Sequence, residues 1–265
     1  MNSYRGLFKM MFKGELQYRA KAISGLTTQF FWGIMFVYLY TAFMGGNIIE
    51  GFSIPQMASY VWLGQSLFVL RYIELPKNCA KEITNGDVCY KFVRPVDLYN
   101  QWYFEHLGYK LSATLLRFAP IIIIGFLLPE NIGLMFPVGI IELLLSLLAL
   151  GIGALLMSAL SMIVVYLTFE TRSPKGTANI AQTICGLLGG LFIPLPLMPQ
   201  AVQNVLNFLP FRFIADLPVR IYIGSMDIKT ALIFIGIALV WLVILVLLGK
   251  LLLKKALKRT IIQGG

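Results

Sequence analysis

Few side chains in this chain have the chemistry to act on another molecule, and they are scattered. His106 is the only histidine, so a zinc site built on a His pair is impossible. It stands among Tyr99, Trp102, Tyr103 and Phe104 and reads as an ordinary interfacial histidine, not a catalytic base. Cys79, Cys89 and Cys185 fit no metal spacing and imply no disulfide framework. There is no Gly-rich loop ending in Lys-Ser or Lys-Thr to cradle nucleotide phosphates, no His-Glu-x-x-His and no Gly-x-Ser-x-Gly elbow. The sequence therefore offers no catalytic residue, no metal ligand set and no cofactor site. Glu142 is the most suggestive single residue, because it falls inside a long apolar run. A carboxylate there is expensive and marks a function by default; otherwise it pairs with a polar group across helices or reaches the outer headgroups.

The elements that hold these residues are written in the charge pattern. Lys and Arg total 22 against 12 Asp and Glu. The basic residues fall in four blocks, Arg5 to Lys21, Arg71 to Arg117, Arg172 to Lys175 and Lys250 to Arg259, with apolar runs between them. The turns Gly45 to Pro55 and Pro129 to Phe136 contain no Lys or Arg. This is the positive-inside pattern of a multi-pass protein of the cell membrane with both termini cytoplasmic. Hydrophobic residues make up 58% of the chain, against about 45–50% for an ordinary soluble domain. A nucleic-acid-binding reading of the net charge of +10 fails on the same apolar runs. Arg212, Arg220 and Lys229, in or beside the outside segment, break the pattern; at the outer headgroup level Arg212 and Arg220 would be accommodated.

The expected fold is an all-α membrane protein with six transmembrane helices, forming one domain over 1–265. Residues 1–21 read as an amphipathic helix in the cytoplasmic headgroup layer, with Tyr4, Leu7, Phe8, Met11 and Tyr18 on one face and Arg5, Lys9 and Lys13 on another; the alternative is a soluble helix packed on another domain. The spans are placed at 22–44, 54–73, 111–128, 136–169, 178–193 and 230–253. Span two starts at Pro55, a favoured first-turn residue. Span four is too long for one simple crossing and must tilt, bend or project. The longest cytoplasmic connection is 74–110, where Asn85-Gly86 is a turn or C-cap signal, Arg94-Pro95 a break, and aromatic-rich Asp97 to Gly108 a helix at the interface. Arg117 reads as a snorkelling residue near the inner interface, and Gly186-x-x-x-Gly190 as a close-approach pattern. The outer segment 194–228 carries five prolines yet stays apolar through Val205, Leu206, Phe208, Phe211, Phe213 and Ile214. Helices re-entering the outer leaflet explain both features; a small cap lying on the membrane is the other reading.

In order, these features resemble the permease subunits of ABC type-2 exporters. The resemblance rests on the amphipathic helix, Glu82-Ile83-x-x-Gly86 and Arg94-Pro95 in the loop after span two, the short fifth span and the proline-rich outer hairpin. Gln17-Tyr18-Arg19-Ala20 leading into Gln29-Phe30-Phe31-Trp32-Gly33 is similar to one uncharacterised branch of that family. The resemblance implies a transporter subunit, not an enzyme. It would pair with a second permease chain, identical or related, and dock on a separate ABC ATPase that holds the ATP and Mg. The loop after span two would carry a coupling helix, with Glu82, Gly86, Arg94 and Pro95 at the ATPase. Glu142, Phe208 and Phe211 would line the pathway or its outer gate. The substrate would be a drug, a peptide or a lipid-like compound. Two other functions compete. A stand-alone secondary transporter or channel wants intramembrane coupling carboxylates, and only Glu142 qualifies. An intramembrane enzyme wants clustered His, Asp or Glu within spans.

Overall fold

In the computed structural model, residues 2–17, 19–45, 52–88, 91 and 97–259 are described. Among them no strand occurs, and eleven α-helices follow one another. These are α1 (Asn2–Leu16), α2 (Arg19–Met44), α3 (Ile54–Ser66), α4 (Phe68–Arg71), α5 (Cys79–Asn85), α6 (Leu98–Leu127), α7 (Ile140–Thr171), α8 (Pro174–Leu188), α9 (Gln200–Leu206), α10 (Asp216–Tyr222) and α11 (Ile228–Arg259). Two 3-10 turns, Leu195–Leu197 and Pro210–Ile214, flank α9.

Among the described residues, four helical segments are long and apolar enough to cross a membrane: Gly25–Met44, α6, α7 and α11. At 1.5 Å per residue, the 32 residues of α7 reach about 48 Å, well past a hydrocarbon core of about 30 Å. The second and fifth expected spans are built differently. Helix α3 begins with a capping box, the Ser53 side chain accepting from Gln56 N and the Gln56 side chain accepting from Ser53 N, and has Pro55 in its first turn. It then breaks at Leu67, and α4 continues only to Arg71. Helix α8 has 15 residues and stops at Gly189, short of the roughly 20 needed for a simple crossing. The stretch expected as an interfacial helix before span three is instead continuous with it, since α6 runs unbroken from Leu98 through Pro120 to Leu127. Nothing in 98–119 forces a break, and Asp97 caps the start by accepting from Asn100 N.

The buried side chains form two clusters. One joins α2, α3, the C-terminal part of α6 and the 128–139 loop through Val37, Trp62, Leu63, Ile121 and Leu134. Trp62 Nε1 donates to Ile132 O at 2.6 Å, and Met135 N donates to Ser59 Oγ at 2.8 Å, fastening that loop to α3. The other joins the N-terminal part of α6 with α7, α10 and α11 through Trp102, Met157, Leu217 and Leu245. Helix α10 belongs to both: Leu217 and Ile221 pack in the second cluster, Val219 and Tyr222 in the first. It is a two-turn wedge between two helical bodies. Gly153 lets it in, because a Cβ there would stand 2.5 Å from Ile214 O, closer than real side chains come.

Helix α1 packs along α6. Tyr4 stacks on Phe104 with ring centroids 5.9 Å apart, and Gly108 leaves room for the Phe8 backbone. The amphipathic face found in the sequence thus has a partner within the chain.

Candidate functional site

The wedge helix is held by charge. The spacing Arg212-x-x-x-Asp216-x-x-x-Arg220 puts two guanidiniums on either side of one carboxylate along a helical stripe. The Asp216 side chain is fully buried, Arg212 is 3% exposed and Arg220 is 14% exposed. Asp216 Oδ1 accepts from Tyr60 Oη at 2.8 Å and from Arg220 Nε at 3.1 Å. Its Oδ2 stands 3.1 Å from Arg212 Nη2 and from Arg220 Nε, without the alignment of a hydrogen bond, so it is held by charge alone. Each guanidinium also covers an aromatic ring: Arg212 lies 4.7 Å from the Phe234 centroid on α11, and Arg220 5.5 Å from that of Phe52 before α3. One carboxylate therefore ties α10 to α3 through Tyr60, while its two cations reach α11 and Phe52. The sequence reading placed Arg212 and Arg220 at the outer headgroups. The structure adds that both side chains are turned into the protein, where Asp216 balances them.

Arg71 is the second departure. Its position at the end of α4 placed it with the cytoplasmic block. Its guanidinium instead runs back along α3: Nη1 comes within 3.0 Å of where a Cβ on Gly64 would sit, and Nη2 donates to Gly189 O at 3.2 Å. It borders an opening lined by Met157, Cys185, Leu191, Phe211 and Ile214.

The loop after α4 is fixed from several sides. Lys110, fully buried, donates to Val69 O at 2.9 Å and to Tyr72 O, and pairs with Glu74 at 2.6 Å, so a lysine of α6 satisfies the carbonyl end of α4. Lys77 pairs with Glu15 of α1. Glu82, on α5, pairs with Lys91 at 2.7 Å and accepts from Trp102 Nε1 at 3.3 Å. The Trp102 hydrogen bond ties α5 to α6, and Lys91 stands 5.5 Å from the centroid of the same Trp102 ring. Gly86 adopts φ 79° as the C-cap, the left-handed region glycine enters without penalty. Lys81, Thr84, Asn85, Gly86 and Asp87 are exposed along the outer edge of α5. Cys79 is buried beneath it, and burial pushes its thiol up, so it is inert. Arg94 and Pro95 lie outside the described residues, as does Cys89.

The remaining expected residues do not converge on one point. Glu142 sits in the first turn of α7, half-buried, with its carboxylate folded over Gly139 at the positive end of the helix dipole. Phe208 is 69% exposed, while its carbonyl accepts from Trp241 Nε1 at 2.7 Å. Phe211 packs against the second cluster and borders the Arg71 opening. His106 is not interfacial. It is 1% exposed, bridging Ser158 at 3.2 Å and Ser161 at 3.1 Å on α7, a satisfied core histidine. Arg117 lies against Gly25 of α2. Among the described residues no group of His, Cys, Asp or Glu could hold a metal ion.

Long apolar helices packed around buried, paired charges define a multi-pass helical membrane protein. Its family is given by comparison: the family model for the ABC-2 family transporter protein matches residues 30–264, and the chain belongs to that family. No curated protein matches it. Membership makes the chain the membrane component of an ABC transporter, not itself an enzyme, and implies an ATPase partner.

Proposed function

We propose that this chain is the permease of an ATP-driven exporter, working beside a second permease chain, identical or related, and docked on a separate ABC ATPase that binds ATP and Mg. The observation that carries the reading, beside family membership, is α5. It is pinned to α6 by Glu82, Lys91 and Trp102, and it leaves the edge Lys81, Thr84, Asn85, Gly86 and Asp87 exposed. A rigidly mounted two-turn helix can pass a displacement to α6, where a loose loop would absorb it. In this reading Glu82 and Gly86 set the shape of the docking edge, and Arg94-Pro95 continue it.

Six crossings with both termini cytoplasmic complete the proposal. The four long helices supply four crossings, α3 with α4 a fifth, and α8 extended by the following turn the sixth. Helices α9 and α10 form the outer re-entrant hairpin. Its buried charge triad supports that placement, since polar groups at membrane depth persist only when paired within protein. Phe211, Phe208 and Glu142 are the proposed gate and pathway residues, with Phe211 innermost. The carried compound is a drug, a peptide or a lipid-like molecule.

The test is co-purification with a site-specific cross-link. A cysteine placed at Asn85 should link to an ABC ATPase that co-purifies with the chain and hydrolyses ATP. Purification without any such subunit, together with gradient-driven flux by the chain alone in proteoliposomes, would overturn the reading in favour of a stand-alone transporter.

A further inference from the structure

We propose that Arg71 is the binding point for the anionic headgroup of an amphiphilic compound that this permease carries. The site stands on geometry. Arg71 lies at the inner end of α4, from where a long cationic side chain ordinarily snorkels to the cytoplasmic headgroups at little cost. It does the opposite. The guanidinium passes the bare backbone of Gly64, seven residues earlier, and ends beside Gly189 O and Met157. Met157 is about halfway along α7, away from the helix end that the six-crossing reading places at the cytoplasmic face, and at membrane depth an unpaired cation is costly and marks a function.

Its partners account for little of that charge. A guanidinium has five N–H donors, and one hydrogen bond, to Gly189 O, is made among the described residues. No described carboxylate lies within ion-pair distance of it. Asp216 attracts it from farther off, but the carboxylate contacts of Asp216 are with Arg212 and Arg220. Three arginines thus share one carboxylate, and Arg71 is the one left facing an opening. Met157, Cys185, Leu191, Phe211 and Ile214 give that opening an apolar wall. A planar cationic fork set in an apolar wall suits a carboxylate or phosphate attached to a hydrocarbon body, for which the opening, water-sized in this state, must widen as the headgroup enters. A neutral acceptor would gain only an ordinary hydrogen bond from the fork, and a cation would be repelled.

The proposal deepens the export reading and rests on it for the word "carries"; the anion site itself does not. The test uses the full chain in lipid nanodiscs with a diazirine-bearing palmitate and the matching alcohol as photolabels. The palmitate should label Cys185 to Leu191 or Phe211 to Ala215, and the alcohol roughly tenfold less, the scale of one charge-assisted hydrogen-bonded pair. Arg71→Gln should reduce palmitate labelling to the level of the alcohol, while Arg71→Lys keeps part of it. Laurate and dodecyl phosphate should compete and dodecanol should not; the better competitor of the two anions identifies the headgroup. Equal labelling by acid and alcohol in the wild-type chain overturns the proposal, as does full labelling of Arg71→Gln. If Arg71→Gln does not fold, the acid-to-alcohol ratio and Arg71→Lys still decide. ATPase association is measured on the same preparations. Its loss with anion labelling intact removes the export reading alone, and the reverse removes the anion site alone.

Discussion

Replacing Asp216 by Asn should be the most damaging single-atom change among the helices that α10 joins. The substitution keeps the shape and still lets the side chain accept from Tyr60, so one hydrogen bond of about 0.5–1.5 kcal/mol is retained. What disappears is the only negative charge between Arg212 and Arg220, whose side chains are 3% and 14% exposed. Removing one partner from a buried ion pair costs about 3–5 kcal/mol, because the cation left behind has already lost its water. Here two cations are left behind. At about 2–4 °C per kcal/mol, the scale of a soluble domain of similar size, melting should drop by roughly 6–20 °C. A thiol-reactive dye suits the measurement, since Cys79 and Cys185 are free, buried, and located in the loop and in α8. Arg259→Ala is the comparison: its pair with Glu170 is 3.8 Å long with side chains 63% and 41% exposed, and its loss should move melting little. Tyr60→Phe combined with Asp216→Asn should cost less than the two changes added, because both act on the same contact. If Asp216→Asn melts within 2 °C of the wild type, the charge triad does not hold α10 in place, and its role as a bolt is refuted.

Glu82→Lys places a cation against Lys91 and should free α5 from α6; alkylation of Cys79 should accelerate by an order of magnitude or more, with ATPase association falling in parallel, and an unchanged rate would show that α5 is held by other contacts. Hydrogen bonds from Thr230 hold the Asp227 carboxyl below the usual aspartate range. This N-terminal cap of α11 should therefore be fully formed above the unfolded-state value and lost as pH falls through the lower folded one, with Thr230 amide exchange quickening only there. Glu142→Gln removes a charge at the dipole-favoured end of α7 and should lower stability by about 0.3–1 kcal/mol; transport should fall by more than the yield of folded protein, and equal falls would leave Glu142 a helix-terminal residue only. Cysteines at Glu130 and Ser173, in a background without the native thiols, should be labelled from outside only at Glu130, and labelling of Ser173 in intact cells would undo the six-crossing topology.

The helical, multi-pass character was legible because hydrophobic length and charge asymmetry are local properties of the chain. Gly86 as a C-cap and the Pro55 helix start were legible for the same reason: glycine and proline carry their backbone geometry with them. The break at Leu67 had no such marker, and neither did the continuity of α6, where the aromatic-rich start resembled a separate interfacial helix. The main misses concern direction and not type. Arg71 was counted as a cytoplasmic cation because hydropathy records which residue stands at a helix end, not which way its side chain runs. His106 looked interfacial beside its aromatic neighbours until Ser158 and Ser161 arrived from α7. The charge triad had a readable half: its four-residue spacing pairs Arg212, Asp216 and Arg220 within one strip of chain. Its other half, Tyr60, lies 156 residues away and depends on the fold. The rule that cations gather on the cytoplasmic side describes charges that meet lipid and water. It does not govern charges that meet one another. The residues that broke the rule were therefore the ones to inspect first, since a cation kept away from the cytoplasmic face must be paired within the protein, as Arg212 and Arg220 are, or held open for something else, as Arg71 is proposed to be.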